Sequence, residues 1–475
     1  MPRTLSRRDV VRRLFAPAAP VAISADLHLL TRATFGPNPP ALADLQQMGA
    51  GDWLEQQLEP DGIDDSVFEQ VLPGIVLPYA NTAADIRMLA GACYSRRQLQ
   101  WRMLHFLNNH FATYRGATVG ISETQEDDEF RKHCFANFAT LLRLSATSPA
   151  MIDFLDSQSN VAGNPNENYA REVLELYTLG VNGGYTESDV SEVARVFTGW
   201  GRFNQLTSTI ATASSFRFRA NLHDTGPKTT TLGWSTPGIA GATGYREGFG
   251  LLDFLAQHAS TATYFTTKLC QYFVADQPPA GLLTRVRQQF TATGGDLRAT
   301  VRAIFLDPEF GTTANVRTKV HDGFEFVSNV IRRFEVTAPS FTALNTQVGL
   351  LRAQPHQFPV PTGYPEVGPA WQGAGALLPR WKFVDDFLQN RITATRVPWA
   401  TLYGTNTPVG SAAWVAALLA RLVDGDVPAT TVQALVIYMN ARYATLPNNP
   451  NLTQLLPHLR DLASVILRLP ETQLQ

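Results

Sequence analysis

Apolar residues recur at helical spacing along most of the chain. This pattern predicts helices at residues 25–35, 40–48, 50–58, 82–113, 130–147, 246–258, 260–275, 280–291, 296–306, 319–335, 412–424, 430–443 and 452–468. Between residues 203 and 235 the period changes, and Phe alternates with Arg over residues 216–219 among Ser, Thr and Gly. The sequence therefore predicts a mainly α fold, a large multi-helix domain with a small β-hairpin insertion at residues 203–235.

No internal repeat and no low-complexity linker interrupts residues 25–475, so we predict one large helical domain there. Residues 354–381 are rich in Pro, Gly and Trp and are predicted to form a long loop. No apolar run is long enough to span a membrane. A net charge of −2 and a pI near 6.5 argue against a nucleic-acid-binding surface.

The first 24 residues have two interpretations. Residues 6–11 (S-R-R-D-V-V) resemble a twin-arginine export signal, and residues 14–25 form a short apolar stretch. However, Arg12 and Arg13 interrupt the pattern, and no small-residue cleavage site follows. Residues 1–24 are thus either an export signal or a disordered N-terminus. The protein is periplasmic or secreted in the first case and cytoplasmic in the second.

Polar side chains crowd one face of a predicted helix that begins near residue 164. Gly180 is predicted to end this helix, and Thr186-x-x-Asp189 to cap the next one. Because only 17% of the chain is charged, the face is a candidate for catalysis or substrate binding. At about 100° per residue its members lie within roughly 140° of one another: Glu167, Asn168, Arg171, Glu172 and Glu175.

The same residues also have a structural interpretation. Asn164 suits the N-cap, Pro165 the first helical position, and Glu167 the third position of a capping box. Arg171 lies four residues from both Glu167 and Glu175, so a solvated ladder of ion pairs fits as well. The sequence leaves both interpretations open.

A second candidate site lies in the β insertion, at His223, Asp224 and Lys228. His223 could act as a general acid or base, because the pKa of an unperturbed imidazole lies near neutrality. Lys228 could pair with an anion. The alternative is turn chemistry, since Asp224-Thr-Gly-Pro is a typical turn sequence.

A metal site is the third candidate. His110 lies near the end of a predicted helix, where a histidine is either a ligand or a satisfied core residue. His105 with Glu172 or Glu175 could supply mixed ligands, but no H-E-x-x-H or E-x-x-H spacing is present. The sequence therefore leaves open the binding of a divalent metal. No motif for binding NAD, flavin or ATP is found.

Several short motifs follow one another along the chain. They are Arg32–Gly36, Asn164–Gly180, Tyr185–Val190, Phe197–Trp200, His223–Gly233, Lys268–Leu269 with Phe273–Val274, Gly295–Thr300, Asp307–Phe310, and Gly363–Pro365 with Trp371. In this order they resemble the bacterial domain-of-unknown-function family 1800, over about residues 26–390. The family's W-H-N-H-F motif is L-N-N-H-F here, with Leu107 and Asn108 at its first two positions. This departure argues against a two-histidine metal site at the motif.

The resemblance does not supply a reaction, because the family's reaction is not established. Members are often exported, and their genes often neighbour one for a protein similar to the sulfatase and alkaline-phosphatase group. The resemblance therefore implies a role in the cell envelope and a protein partner of that kind, by association only.

Three functions compete. The leading hypothesis is a hydrolase, of glycosidase type, or a lyase that acts on a polysaccharide or other envelope polymer. Glu167 would be its acid or base, His223 with Asp224 a second proton-transfer pair, and Arg171 with Lys228 the substrate-positioning cations. The aromatic residues either stack on sugar rings or fill the core; they are Trp200, Trp234, Tyr364 and Trp371.

Two alternatives remain. A metal-assisted hydrolase of an anionic substrate would use His110, His223, Glu167 and Glu175 as candidate ligands. A non-catalytic assembly partner of a sulfatase-like or phosphatase-like protein would use the polar helix face as its binding surface.

Overall fold

The computed structural model describes residues 23–475, except residues 76–81, 119–121, 204–214, 338, 404–407, 425–426 and 448–449. Nearly all of the proposed export signal, residues 1–24, lies outside the described residues, as does the middle of the β insertion. None of the helices in these ranges is long and apolar enough to cross a bilayer.

Short helices make up the N-terminal third of the described chain. They are α1 (Ala25–Ala33), α2 (Pro39–Met48), α3 (Ala50–Leu58), α4 (Ser66–Ile75), α5 (Ala83–Tyr94), α6 (Gln98–His110), α7 (Ser122–His133), α8 (Phe138–Thr147) and α9 (Pro149–Phe154), with 3₁₀ turns at Pro60–Gly62, Arg115–Ala117 and Ser157–Ser159.

Four short strands interrupt the helices in the central third. The elements are α10 (Asn168–Glu172), which continues as a π-helical turn (Val173–Thr178), α11 (Glu187–Val196), β1 (Trp200–Phe203), β2 (Ser215–Phe218), β3 (Lys228–Thr229), β4 (Ser235–Thr236), α12 (Arg246–Gln257), α13 (Ala259–Phe273), α14 (Ala280–Ala292) and α15 (Leu297–Phe305), with 3₁₀ turns at Ala220–Leu222 and Gly241–Thr243.

The C-terminal third is again helical. It contains α16 (Gly323–Arg333), α17 (Phe341–Leu350), α18 (Pro369–Gln372), α19 (Ala374–Leu388), α20 (Trp399–Tyr403), α21 (Ser411–Val423), α22 (Ala429–Tyr443), α23 (Leu452–Ile466) and α24 (Pro470–Gln473).

The β insertion consists of two small antiparallel pairs. β1 pairs with β2, with Trp200 opposite Phe218, and β3 pairs with β4, with Lys228 opposite Thr236. The predicted mainly α fold with a small β insertion is confirmed.

The single helix predicted over residues 82–113 is two helices, α5 and α6. Ser95 ends α5 in an extended conformation. The side-chain amide of Gln98 then donates to the carbonyls of Ser95 (2.7 Å) and Ala92 (3.2 Å). Because the last carbonyls of a helix have no partner within it, Gln98 compensates for the break.

The helix that carries the N-E-N-Y motif begins later than predicted. Its first residue is Asn168, so the predicted N-cap at Asn164 and the first-turn position of Glu167 are wrong. Asn164 instead forms an isolated antiparallel bridge with Val161, and Asn166 Oδ1 accepts a hydrogen bond from the Asn168 amide (2.9 Å).

The predicted helix end and the next cap are confirmed. Gly180 has a φ of +80°, and an added Cβ would lie 2.7 Å from the ring of Tyr264. Thr186 Oγ1 accepts from the Asp189 amide (3.2 Å), and Asp189 Oδ2 accepts from the Thr186 amide (2.8 Å). This reciprocal pair is a capping box.

Two helices, α6 and α16, run through the interior. Buried hydrophobic residues form one continuous cluster from Leu29 to Leu469. α6 packs against α1, α3, α5 and α7, while α16 packs against α5, α17, α19 and α21. Every residue of α16 is buried, as expected for a helix with neighbours on all sides. Polar groups on these two helices are therefore held in fixed positions.

Gly91 on α5 tests the packing between α5 and α6. A Cβ at Gly91 would lie 2.2 Å from the Trp101 indole, whereas a Cβ at the exposed Gly250 of α12 would meet no atom within 4 Å. We expect Gly91→Ala to lower the free energy of unfolding by about 1–3 kcal/mol. Gly250→Ala should raise it by about 0.5–1 kcal/mol, because Ala favours the helix. Chemical denaturation measures both free energies of unfolding. Equal changes in the two variants would contradict the close contact between Gly91 and Trp101.

Candidate functional site

A narrow cleft lies between α6, the start of α16 and the loop after α17. Its volume is about 60 Å³, which is room for a few water molecules. The cleft can therefore hold an ion and one reacting group, but not a whole large ligand. The titratable residues in its walls are His105, Tyr272, Lys319, Asp322, Glu325, His356, Tyr364 and Glu366.

Three potential metal ligands converge in this cleft. One ligand atom each from His105, Asp322 and Glu325 lies within 4.8 Å of the other two. His105 Nε2 is 3.5 Å from Asp322 Oδ2, while its Nδ1 is 2.9 Å from the Tyr272 hydroxyl. The Tyr272 contact fixes the imidazole so that Nε2 faces the carboxylates.

The two carboxylates are held by the start of α16. Asp322 is its N-cap and accepts from the Glu325 amide (2.7 Å), and Glu325 Oε2 accepts from the Asp322 amide (3.0 Å). This capping box places both side chains beside the C-terminal half of α6. Arg102 of α6 forms an ion pair with Glu325 Oε1.

The segment that precedes α16 is paired with residues 473–475. His321 donates its amide to the Gln473 carbonyl (2.9 Å), and the Gln475 amide donates to the Lys319 carbonyl (2.8 Å). The Gln475 side chain also donates to Glu325 Oε2 (2.8 Å). The cleft is therefore supported from behind by these residues.

The cleft perturbs the protonation of its groups. Burial, and then the neighbouring Glu325 carboxylate, raise the pKa of Asp322 to about 7. Burial also tends to raise the pKa of Glu325, but the Arg102 charge and the neighbouring His321 imidazole outweigh it and hold that pKa well below its usual range. Burial lowers the pKa of His105 to about 4, so this imidazole is neutral at physiological pH.

The opposite wall is the loop that carries the G-Y-P motif. The Asn109 side chain accepts from the Tyr364 amide (2.6 Å) and donates to the Tyr364 carbonyl (2.9 Å). Gly363 has a φ of +68°, and an added Cβ would lie 2.3 Å from the Asn109 carbonyl. Only glycine allows this close approach, so the L-N-N-H-F and G-Y-P motifs form one unit.

A buried histidine completes the cleft. His356 Nε2 is 3.0 Å from Asp127 Oδ1, and its Nδ1 is 3.1 Å from Thr113 Oγ1. Burial lowers its pKa, but Asp127 outweighs burial and the pKa rises to about 9. Asn108, which replaces the histidine of the family motif, also lines the cleft, with its amide nitrogen 3.4 Å from His356 Nε2.

The motifs that line this cleft can be compared with known proteins. A family model described as "Protein of unknown function (DUF1800)" matches residues 28–474. The chain belongs to this family. No curated protein and no solved structure matches the chain. The DUF1800 match extends beyond residue 390, where the motif resemblance ends, and so includes the C-terminal helices that support the cleft.

The predicted site residues on α10 form an ion-pair network near the surface. Glu167 accepts from Ser191 Oγ (2.6 Å), and Arg171 lies 3.4 Å from Glu167 and 2.8 Å from Glu187. Asn168 is exposed. The ladder interpretation fits this geometry for the Glu167–Arg171 pair.

Glu172 and Glu175 lie further along the same face. Burial, and then Glu175, raise the pKa of the half-buried Glu172 to about 7. Glu175 accepts from the Tyr185 hydroxyl (3.2 Å). In the described ranges the metal-ligand group that includes His105 contains Asp322 and Glu325 rather than these two glutamates.

The predicted site in the β insertion is a buried network. His223 Nε2 is 3.5 Å from Glu247 Oε2, and Lys228 Nζ is 2.7 Å from the same oxygen. The Asp224 carboxylate forms an ion pair with Arg195 (2.8 Å). The carboxylate that faces His223 is thus Glu247, and Lys228 is already neutralised. Burial of the Lys228 and Glu247 side chains indicates that this network fixes the turn.

The remaining candidates divide between the core and the cleft. Trp200 is 2% exposed within an aromatic cluster, and His110 is 1% exposed, with Nε2 3.1 Å from the Tyr177 carbonyl. Trp234 is half-buried against the core. Two of the predicted aromatic residues, Tyr364 and Trp371, line the cleft.

Sequence reasoning missed Asp322 and Glu325. Their signal was present, because Asp322-x-x-Glu325 precedes an apolar run and has the spacing of a capping box. That spacing predicts a helix start. It does not show that His105 of α6 lies opposite.

The raised pKa of Asp322 makes stability depend on pH. Between about pH 4 and about pH 7 the folded protein holds a proton at Asp322 that the unfolded chain has lost. The proton bound to Asp322 therefore stabilises the folded protein relative to the unfolded chain. This contribution is complete below about pH 4 and is lost as the pH rises through about 7. We therefore expect the melting temperature of the chelator-treated protein to fall relative to Asp322→Asn over this range.

Asparagine is a good N-cap, so Asp322→Asn keeps the start of α16. The matched control is Asp296→Asn at the N-cap of α15, where Asp296 accepts from the Ala299 amide (2.9 Å). Melting curves of the three proteins at several pH values check the expectation. A constant difference between the protein and Asp322→Asn would contradict the raised pKa.

Proposed function

We propose that the protein is a metal-assisted hydrolase whose reaction takes place in the cleft. The observation that supports this proposal is the convergence of His105, Asp322 and Glu325 ligand atoms within 4.8 Å. One imidazole and two carboxylates suit a divalent ion such as Zn²⁺ or Mn²⁺. Positions not taken by these side chains would remain for water and substrate.

The surroundings of these residues fit a metal site. The Tyr272 hydroxyl orients His105 through Nδ1, which is a common outer contact of a metal-binding histidine. The pKa of Asp322 is raised because burial leaves its negative charge poorly compensated, and a nearby cation would offset that cost.

When bound, the ion would polarise the scissile group and lower the pKa of a bound water. His105 would bind through Nε2, which the neutral imidazole leaves available. Asp322 would be the main anionic ligand, since Arg102 already neutralises Glu325. Glu325 would be a secondary ligand at the rear of the cleft. Its main role would be to hold Asp322 in position through the capping box.

The acid–base mechanism based on Glu167, His223 and Asp224 has less support. Glu167 belongs to a surface ion-pair network, while His223 faces Glu247 in a buried one. We retain a polysaccharide or other envelope polymer as the proposed substrate. Export to the envelope and a sulfatase-like or phosphatase-like partner likewise remain proposals.

Metal binding and hydrolysis can be measured on one preparation. The protein is treated with chelator and titrated with Zn²⁺ and Mn²⁺ by calorimetry, and product release is followed on a panel of polysaccharides. We expect His105→Gln and Asp322→Asn to weaken metal binding at least about 10-fold and to abolish product release. Asp296→Asn and Glu167→Gln should retain both.

The other outcomes separate the hypotheses. Product release that is lost in Glu167→Gln but kept in Asp322→Asn would overturn the cleft as the reaction centre. Absence of both metal binding and product release in the folded protein would favour the non-catalytic assembly partner.

A further inference from the structure

A larger groove adjoins the cleft. Its volume is about 450 Å³, within the usual range for small-ligand sites. The two cavities share Phe358, Tyr364, Pro365 and Trp371 in their linings. Because the cleft holds only a few atoms, the groove is the place for the body of a ligand.

The aromatic wall of the groove is fixed before any ligand binds. The Trp371 indole donates to the Pro365 carbonyl (2.8 Å), and the Tyr364 hydroxyl donates to the Gln354 carbonyl (3.0 Å). Phe358 and Tyr364 have ring centroids 4.8 Å apart, at 56° to one another. Preorganised side chains reduce the entropy cost of binding.

The ring arrangement favours a sugar over a planar ligand. Tyr364 and Trp371 meet at 45°, so the wall offers inclined faces rather than a parallel slot for a flat ring system. The C–H face of a sugar ring packs against a single aromatic face. The narrow cleft beside the wall would then receive one bond or substituent of that sugar.

A free cation lies at the same groove. Arg352 is exposed in the turn after α17, with a φ of +55°. Over the described ranges its guanidinium has no hydrogen-bond or ion-pair partner, whereas the guanidinium groups of Arg102 and Arg333 are paired with Glu325 and Asp424. An unpaired guanidinium suits a carboxylate, which it can bind through two parallel hydrogen bonds.

We propose that the groove binds an acidic sugar residue of a glycan, with its carboxylate on Arg352 and its ring on the Tyr364–Trp371 wall. The half-buried Gln357, which also lines the groove, would bind a hydroxyl. This inference deepens the proposed function, because it names the substrate class that the cleft would act on.

The test measures binding without hydrolysis. Chelator-treated protein is titrated with a tetrasaccharide of galacturonic acid and with a neutral tetrasaccharide of glucose, by calorimetry and tryptophan fluorescence. We expect the acidic oligosaccharide to bind at least about 10-fold more tightly. Arg352→Gln should remove this preference while leaving the melting temperature unchanged, because Arg352 is exposed and unpaired.

The matched control is Arg391→Gln, which removes a side chain that is 65% exposed and pairs with Asp386 at the surface. It should leave binding unchanged. Equal binding of the two oligosaccharides, equal affinity of the protein and Arg352→Gln, or no binding at all would overturn the inference.

The failure of this inference is distinguishable from failure of the proposed function. Binding of the acidic oligosaccharide without any metal binding would support the sugar site in the groove and contradict the metal-assisted mechanism. Metal binding together with product release from neutral polysaccharides alone would support the metal-assisted mechanism and contradict the acidic-sugar site.

Discussion

The buried ion pair between Arg102 and Glu325 is the interaction on which the rest of the cleft depends. The Arg102 guanidinium is buried, with its centre 4.4 Å from the Tyr272 ring centroid and 5.1 Å from that of Phe35. Removal of one partner from such a pair costs about 3–5 kcal/mol, because the other charge is left buried and unpaired. The pair fixes α6 against α16 and holds the histidine and the carboxylates face to face.

The fold class could be predicted because helical periodicity is a local property of sequence. The predicted helix boundaries were wrong where contacts of individual side chains determine where a helix begins or ends. The break between α5 and α6 depends on the Gln98 amide, and apolar residues on both sides hide it. Before the late start of α10, the Asn166 side chain accepts from the Asn168 amide, while Asn164 is paired with Val161 and does not cap the helix.

The candidate site was less accessible to sequence reasoning. Local spacing drew attention to the polar face of α10 and to the His223 turn, and there charges pair with near neighbours. In the cleft, by contrast, the decisive contact joins Arg102 and Glu325, 223 positions apart. A single sequence shows the capping box and the histidine, but it does not show that they meet. The order of the motifs along the chain indicated the family. Two of these motifs, which contain Asn109 and Gly363, meet in the wall of the cleft.

The pairing of residues 319–321 with residues 473–475 has a consequence for how the protein folds. Contacts between distant parts of a chain form slowly, because a long loop must close before the contact is made. α5, α6 and α7 can form and pack early, since they are adjacent in sequence. The cleft needs α16 and then Gln475, which lies 150 positions beyond Glu325. Helical structure is thus acquired well before the cleft, and a partly folded chain exposes Arg102 without its carboxylate.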